Sequence, residues 1–293
     1  MALNDCIINI YKLVASFEKM NVSEQLIARL VELKKSNSES SYSHILNILR
    51  NQIILVPFTI IKPYKLIRYR RHGDFNKEKL FTTSEDLTYR KDILDINNFG
   101  RANEPGQGFF YCNDNQNQNT GISEIVSVFR GNEDSKEEVL TISAWNLNES
   151  LNLAIILPIE ENYGKNVEFD KMKQFYKTFQ NSPEFDDLKN LNEFLAKEFT
   201  LDIEKQNSNY KITSAFSNYI KENFPSVDGI IYCSIKSEYE GVNIVLWPEV
   251  VDQKIGFAAA RKSTFKSVKN KTFLEENIVE SKSYDSVNDI IIW

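Results

Sequence analysis

The chain has 293 residues with 42% hydrophobic, 26% charged and 12% aromatic side chains, a balance that fits a folded globular protein and argues against disorder. Its formal net charge of -6 disfavours a dedicated nucleic-acid binder, and three cysteines (Cys6, Cys112, Cys233) without a CxxC pair disfavour a disulfide framework or structural zinc. No apolar run approaches the roughly 20 residues of a bilayer span and no basic-then-apolar leader opens the chain, so a cytoplasmic protein without membrane contact is expected.

Residues 1–50 predict a small helical region. Ile7, Ile10, Tyr11, Val14 and Phe17 share one helical face, and Leu26, Leu30 and Leu33 repeat the pattern after Val22-Ser23. The serine-rich stretch Ser36 to Ser43 interrupts it before a third short helix at Ile45 to Leu49. Packing or partner contact accounts for all three.

From residue 51 to 293 the pattern predicts one mixed domain. Ile53 to Val56 is a short β-branched run ending at Pro57, and Lys65 to Arg70 alternates as a strand does. A polar loop follows, from His72 to Asn98. Phe99 to Phe129 then combines a turn (Gly100-Arg101, Glu104-Pro105-Gly106), an aromatic strand (Phe109-Phe110-Tyr111) and an amphipathic segment carrying Glu124. Strands are expected over Val139 to Leu147 and Leu151 to Leu157. Three helices form an insertion around 168–224, anchored on Phe169 to Phe179, Phe185 to Leu195 and Ile212 to Phe224. Strands return at Ile230 to Ser234, Val242 to Trp247 and Ile255 to Ala260, before a basic and polar stretch and an apolar end, Ile290 to Trp293. The fold class is α+β.

The residue types narrow the chemistry. With only His44 and His72, a histidine-based triad or metal site has little to draw on, and no Walker loop or GxGxxG is present. Arginine, glutamate, tyrosine and serine remain. Arg68 and Arg70 share a strand face, and a guanidinium suits phosphate oxygens. Tyr111 points with Phe109 and opposite to Phe110, placed to stack on a flat ring. Glu124 points away from the apolar stripe of Ile122, Ile125, Val126 and Phe129, and Ser234 ends a strand; on composition alone, helix-dipole compensation and turn formation are the favoured readings of these two.

Taken in order, these residues resemble the RES family. Its glycine-arginine turn, Asn-x-Pro-Gly segment, strand ending in tyrosine and serine-glutamate helix are similar to Gly100-Arg101, Asn103-Glu104-Pro105-Gly106, Phe110-Tyr111 and Ser123-Glu124. Leu66 to Arg70 is similar to its early arginine strand, and Asp228 to Ser234 followed by Gly241 to Leu246 to its late serine block. The likeness spans about 60–250. Ala102 stands where an aromatic is common and Glu104 where a second proline is common.

The resemblance implies an ADP-ribosyltransferase-like mixed sheet and cleavage of the nicotinamide–ribose bond of NAD⁺ by hydrolysis or phosphorolysis. NAD⁺ is then substrate rather than cofactor, inorganic phosphate a co-substrate in the second case, and a helix-turn-helix antitoxin the protein partner. Glu124 would meet the developing ribosyl cation, Arg68 and Arg101 the pyrophosphate, Tyr111 the nicotinamide or its ribose, and Ser234 the pocket wall, with Asn103 and Arg70 as further substrate contacts. No metal enters this scheme. ADP-ribosyl transfer to a macromolecule and a catalytically inactive binding module are the alternatives.

Overall fold

The computed structural model describes residues 23–293 apart from 37, 39, 53, 55, 63, 74–76, 115–120, 123–136, 158–166, 183–184, 202–208, 235–240 and 269–271. The helix expected over Ile7 to Phe17 and the segment with Glu124 therefore lie outside the described residues.

Among the described residues the chain is α+β, with six α-helices and one large mixed sheet. In chain order come α1 (Ser23–Lys35), α2 (Ser40–Arg50), β1 (Phe58–Ile61), β2 (Lys65–Arg71), β3 (Phe110–Asp114), β4 (Glu137–Leu147) and β5 (Leu151–Ile156). Then follow α3 (Val167–Phe179), α4 (Phe185–Phe199), α5 (Lys211–Asn223), β6 (Gly229–Cys233), β7 (Val242–Leu246), α6 (Pro248–Lys254), β8 (Ile255–Val268) and β9 (Thr272–Glu280). A two-stranded hairpin, β10 (Ser283–Asp285) and β11 (Ile290–Ile292), completes the set.

The nine strands lie in the order β1-β5-β6-β7-β3-β2-β4-β8-β9, all neighbours antiparallel except β5 and β6. A parallel pair needs a long crossover, and α3 to α5 supply it. Their apolar faces bury Met172, Leu195, Phe199 and Phe216 in the main core with Ile155, Ile156 and Tyr232. Strands β6 and β7 are buried along their whole length, which is why they read as continuous apolar runs.

Two expected boundaries shift. Ile54 and Val56, the described residues of the expected run, lie outside any strand and enter the core, and pairing begins at Phe58. Pro57 has no N–H to donate, so the ladder starts after it, although its carbonyl still accepts from Ile155 N at 2.8 Å. At the other end, β8 runs on to Val268 and pairs with β9, where only Ile255 to Ala260 is expected from the sequence.

Helices α1 and α2 do not stand apart from the rest. Leu26, Leu30, Ile45 and Leu49 belong to the same core as α4 and α5. Lys34 on α1 bonds Glu198 on α4 at 2.7 Å with both side chains about nine-tenths covered. Burial raises the Glu198 carboxyl pKa, outweighing the ammonium that pulls it down. Removing one partner strands the other charge, whereas removing both does not. Lys34→Met alone should cost about 3 kcal/mol in denaturant unfolding, while Lys34→Met with Glu198→Leu should return close to wild type.

Candidate functional site

Strand β2 pairs with β4 along all seven residues but with β3 only at Leu66↔Asp114 and Ile67↔Asn113. Beyond Ile67 the two strands separate, and the sheet opens between them. Arg68 is the first residue past the last paired position.

Its guanidinium fills the opening. Nη1 donates to the Tyr111 carbonyl at 2.8 Å, and the group lies over the Phe110 ring, 5.0 Å from its centroid. Nε is buried and has no hydrogen-bond partner. Burial lowers the Arg68 pKa to about 10, so the charge is kept at neutral pH, with no carboxylate pairing it among the described residues. Cys112 stands opposite, its thiol pKa pushed up by burial.

Just outside the split, residues 99–111 form a tight polar turn. Gly100 N donates to the Asn103 carbonyl at 2.8 Å. The Tyr111 hydroxyl donates to Asn103 Oδ1 at 2.7 Å and accepts from Ala102 N at 2.9 Å. Asn103 Nδ2 donates to the carbonyls of Gln107 at 2.9 Å and Glu104 at 3.2 Å. The glycine at 100 is required here: a Cβ would overlap Asn103 Oδ1 and come within 3.1 Å of the Tyr111 hydroxyl. Gly100→Ala should therefore destabilise by about 1–3 kcal/mol, read as a lower thermal midpoint.

Arg101 turns the other way. It donates to the Phe199 carbonyl at the end of α4 and to Leu201 O at 3.2 Å, with its guanidinium over the rings of Tyr210 at 4.9 Å and Tyr232 at 5.8 Å. A cation on the last carbonyls of a helix also complements its dipole.

The structure thus joins Arg68, Tyr111, Asn103 and Arg101 into one connected unit, but not as four substrate contacts. The polar atoms of Asn103 and the hydroxyl of Tyr111 are spent on the turn, and Arg101 braces α4. Arg68 is the member with a buried donor left over. Arg70 is not brought to this group: it donates to the Asp86 carbonyl and stacks on Phe81 at 5.1 Å. Ser234 follows β6, fully buried, its N–H closing the β6–β7 hairpin onto Gly241 O at 3.0 Å. The ladder register places it away from the split: the row of Cys112 and Ile244 that faces Arg68 meets β6 at Ile231, three residues before Ser234.

Beside Tyr69, on the opposite face of β2 from Arg68, a short helical start at Gly121-Ile122 packs against the sheet. A Cβ at Gly121 would overlap the Tyr69 ring, so glycine alone permits this approach.

Two features escape the sequence. Asn113 Nδ2 bonds Asn243 Oδ1 at 2.8 Å and Val242 O at 3.0 Å, fastening β3 to β7 where β2 departs. Two asparagines ending apolar strands were the available signal. Tyr210 and Tyr232, which sandwich Arg101, carried no signal beyond composition. Finally, the basic run Lys65 to Arg71 is not a surface patch, since Arg68 and Arg70 turn inward and Arg71 pairs with Glu138 at 3.2 Å. No helix among the described residues is long and apolar enough to cross a membrane. No protein-family model matches the chain, and no curated protein matches it either.

Proposed function

We propose that the chain is an NAD⁺-degrading enzyme with an ADP-ribosyltransferase-like fold, cleaving the bond between nicotinamide and ribose. The observation that carries this is Arg68: a charged guanidinium in the split of the sheet, with Nε buried and unpartnered. A buried donor without an acceptor costs free energy, and a dinucleotide's phosphate or ribose oxygen would repay that cost on binding.

The chemistry asks little else of the protein. Nicotinamide leaves as a neutral molecule, so no general acid is needed. Positive charge builds on the ribose, as in glycoside cleavage, and a fixed carboxylate stabilises it; Glu124 takes this role. Tyr111 offers its half-buried ring to the nicotinamide side, and Arg101 and Asn103 hold the turn that fixes Tyr111. Water or inorganic phosphate then captures the ribosyl cation. The RES resemblance supports the assignment of Glu124 and Ser234, and it makes growth arrest relieved by a helix-turn-helix antitoxin the expected cellular behaviour.

Purified protein incubated with NAD⁺, with and without inorganic phosphate, should release free nicotinamide. A folded protein that releases none under either condition would falsify this function. Labelled NAD⁺ that ends on a macromolecule would instead assign ADP-ribosyl transfer.

A further inference from the structure

We propose that helix α2 is part of the site's scaffold, with Tyr42 a positioning residue that fixes the Tyr111–Arg68 pair through Asn218, Gln107 and Glu104. This rests on Arg68 and Tyr111 being site residues, as argued above.

The connection is a continuous set of half-buried hydrogen bonds. Asn218 Nδ2 on α5 donates to the Tyr42 hydroxyl at 2.8 Å, and Asn218 Oδ1 accepts from Gln107 Nε2 at 3.1 Å. Gln107 Nε2 also donates to Glu104 Oε1 at 3.0 Å, and Gln107 Oε1 accepts from Glu104 N at 3.2 Å. The Gln107 carbonyl accepts from Asn103, which holds the Tyr111 hydroxyl, and the Tyr111 carbonyl holds Arg68. The Tyr42 ring packs on Phe99 at 4.9 Å, at the start of the same turn.

The donor directions follow from one fixed group. A backbone N–H only donates, so Glu104 N orients the Gln107 amide with Oε1 toward itself. Its Nε2 then faces Asn218 Oδ1, which leaves Asn218 Nδ2 for the Tyr42 oxygen. Tyr42 has accepted a bond and must send its own proton elsewhere. The Ser214 hydroxyl and the Glu104 carboxylate are its other polar neighbours, and either can receive it. Every amide orientation is forced, so removing one hydroxyl unsatisfies groups on both sides of it. Helix packing alone would not need this arrangement; apolar contact already joins α2 to α5 through Ile45, Leu49 and Ile220.

The test compares Tyr42→Phe, which keeps the ring on Phe99, with Ser41→Ala, which removes a bond from Lys211 to the neighbouring residue of α2 but lies off the chain. Amide hydrogen exchange across 99–111 should speed up about tenfold in Tyr42→Phe, the scale of one lost buried hydrogen bond, and stay at wild type in Ser41→Ala. Glu104→Ala, a second cut of the same chain, should give the same local signature. With NAD⁺, Tyr42→Phe should raise KM about tenfold and leave kcat within about twofold, because binding geometry and not chemistry is loosened. Unchanged exchange over 99–111 in both chain variants, or equal changes in Ser41→Ala, overturns the proposal. If wild type releases no nicotinamide, the enzymatic function fails by itself, and the exchange comparison still decides whether α2 fixes the turn.

Discussion

Replacing Arg68 by methionine should abolish nicotinamide release, by about a hundredfold or more in kcat/KM, while the protein melts within about 2 °C of wild type or above it. The two halves of this expectation come from the same geometry. Arg68 is charged, buried at Nε, and has no carboxylate partner among the described residues. A guanidinium whose folded-state pKa is lowered to about 10 costs stability wherever it is protonated in the fold, which covers all pH below about 10; the cost fades only as pH rises from there toward the unfolded value. The bond to the Tyr111 carbonyl and the contact with Phe110 offset part of that cost. Methionine fills similar space without the charge, so stability should hold. A structural arginine would behave in the opposite way. Arg70 is the control: it ties β2 to the loop at Phe81 and Asp86, so Arg70→Met should lower the melting temperature and reduce activity only in proportion. Thermal melts and initial rates on both variants separate the roles, and a destabilised Arg68→Met with retained turnover would remove Arg68 from the site.

Arg68 and Arg70 also show where sequence reasoning stops. Their alternation correctly places them on one face of β2, because a strand's period is fixed by backbone geometry. Nothing in that period separates them. The difference arises from β3, which leaves β2 after Ile67 and so gives Arg68 the split and Arg70 a loop. Likewise, the tie from Arg68 to Tyr111 runs through a main-chain oxygen, which no side-chain pattern encodes. Helices α4 and α5 were legible because their large apolar residues recur at helical spacing over three turns or more, although α5 is buried all round from Ile212 to Ile220. The β8–β9 hairpin was not. Residues 261–268 of β8 are polar or basic apart from Phe265 and Val268, and β9, at the sheet's edge, leaves Leu274, Ile278 and Val279 substantially exposed. An edge strand of this composition reads as a polar stretch. The polar path from Tyr42 to Gln107 was out of reach for a different reason: its members lie up to 176 residues apart and meet only when α2 and α5 pack.

The other large effect should come from Glu124→Gln, with kcat reduced about a thousandfold and KM changed little. The argument is one of charge. Glutamine keeps the size and the hydrogen-bonding reach of glutamate but cannot neutralise positive charge on the ribose, and that charge is absent from the ground state. A residue that binds ground and transition states alike would raise KM; one that acts on developing charge lowers kcat. Loss of an aligned electrostatic group at a reacting centre is worth about a hundred- to a thousandfold, and a formal charge close to the breaking bond belongs at the upper end. Glu124→Asp should fall between, since the charge stays while its position recedes by one methylene. The neighbouring contacts predict where stability does lie: Gly121 meets the Tyr69 ring and Ile122 is buried with Leu140, Ile142 and Phe265, so Ile122→Ala should cost about 2–4 kcal/mol without a comparable loss of kcat in the fraction still folded. Burst and steady-state assays with saturating NAD⁺ on the Gln, Asp and Ile122→Ala variants read these outcomes directly. A Glu124→Gln enzyme with wild-type kcat and raised KM would make Glu124 a binding residue and move the stabilising charge elsewhere. Full activity in the same variant would detach the reaction from this carboxylate altogether, leaving Arg68 and the split sheet to be explained by a ligand that is held and not cleaved.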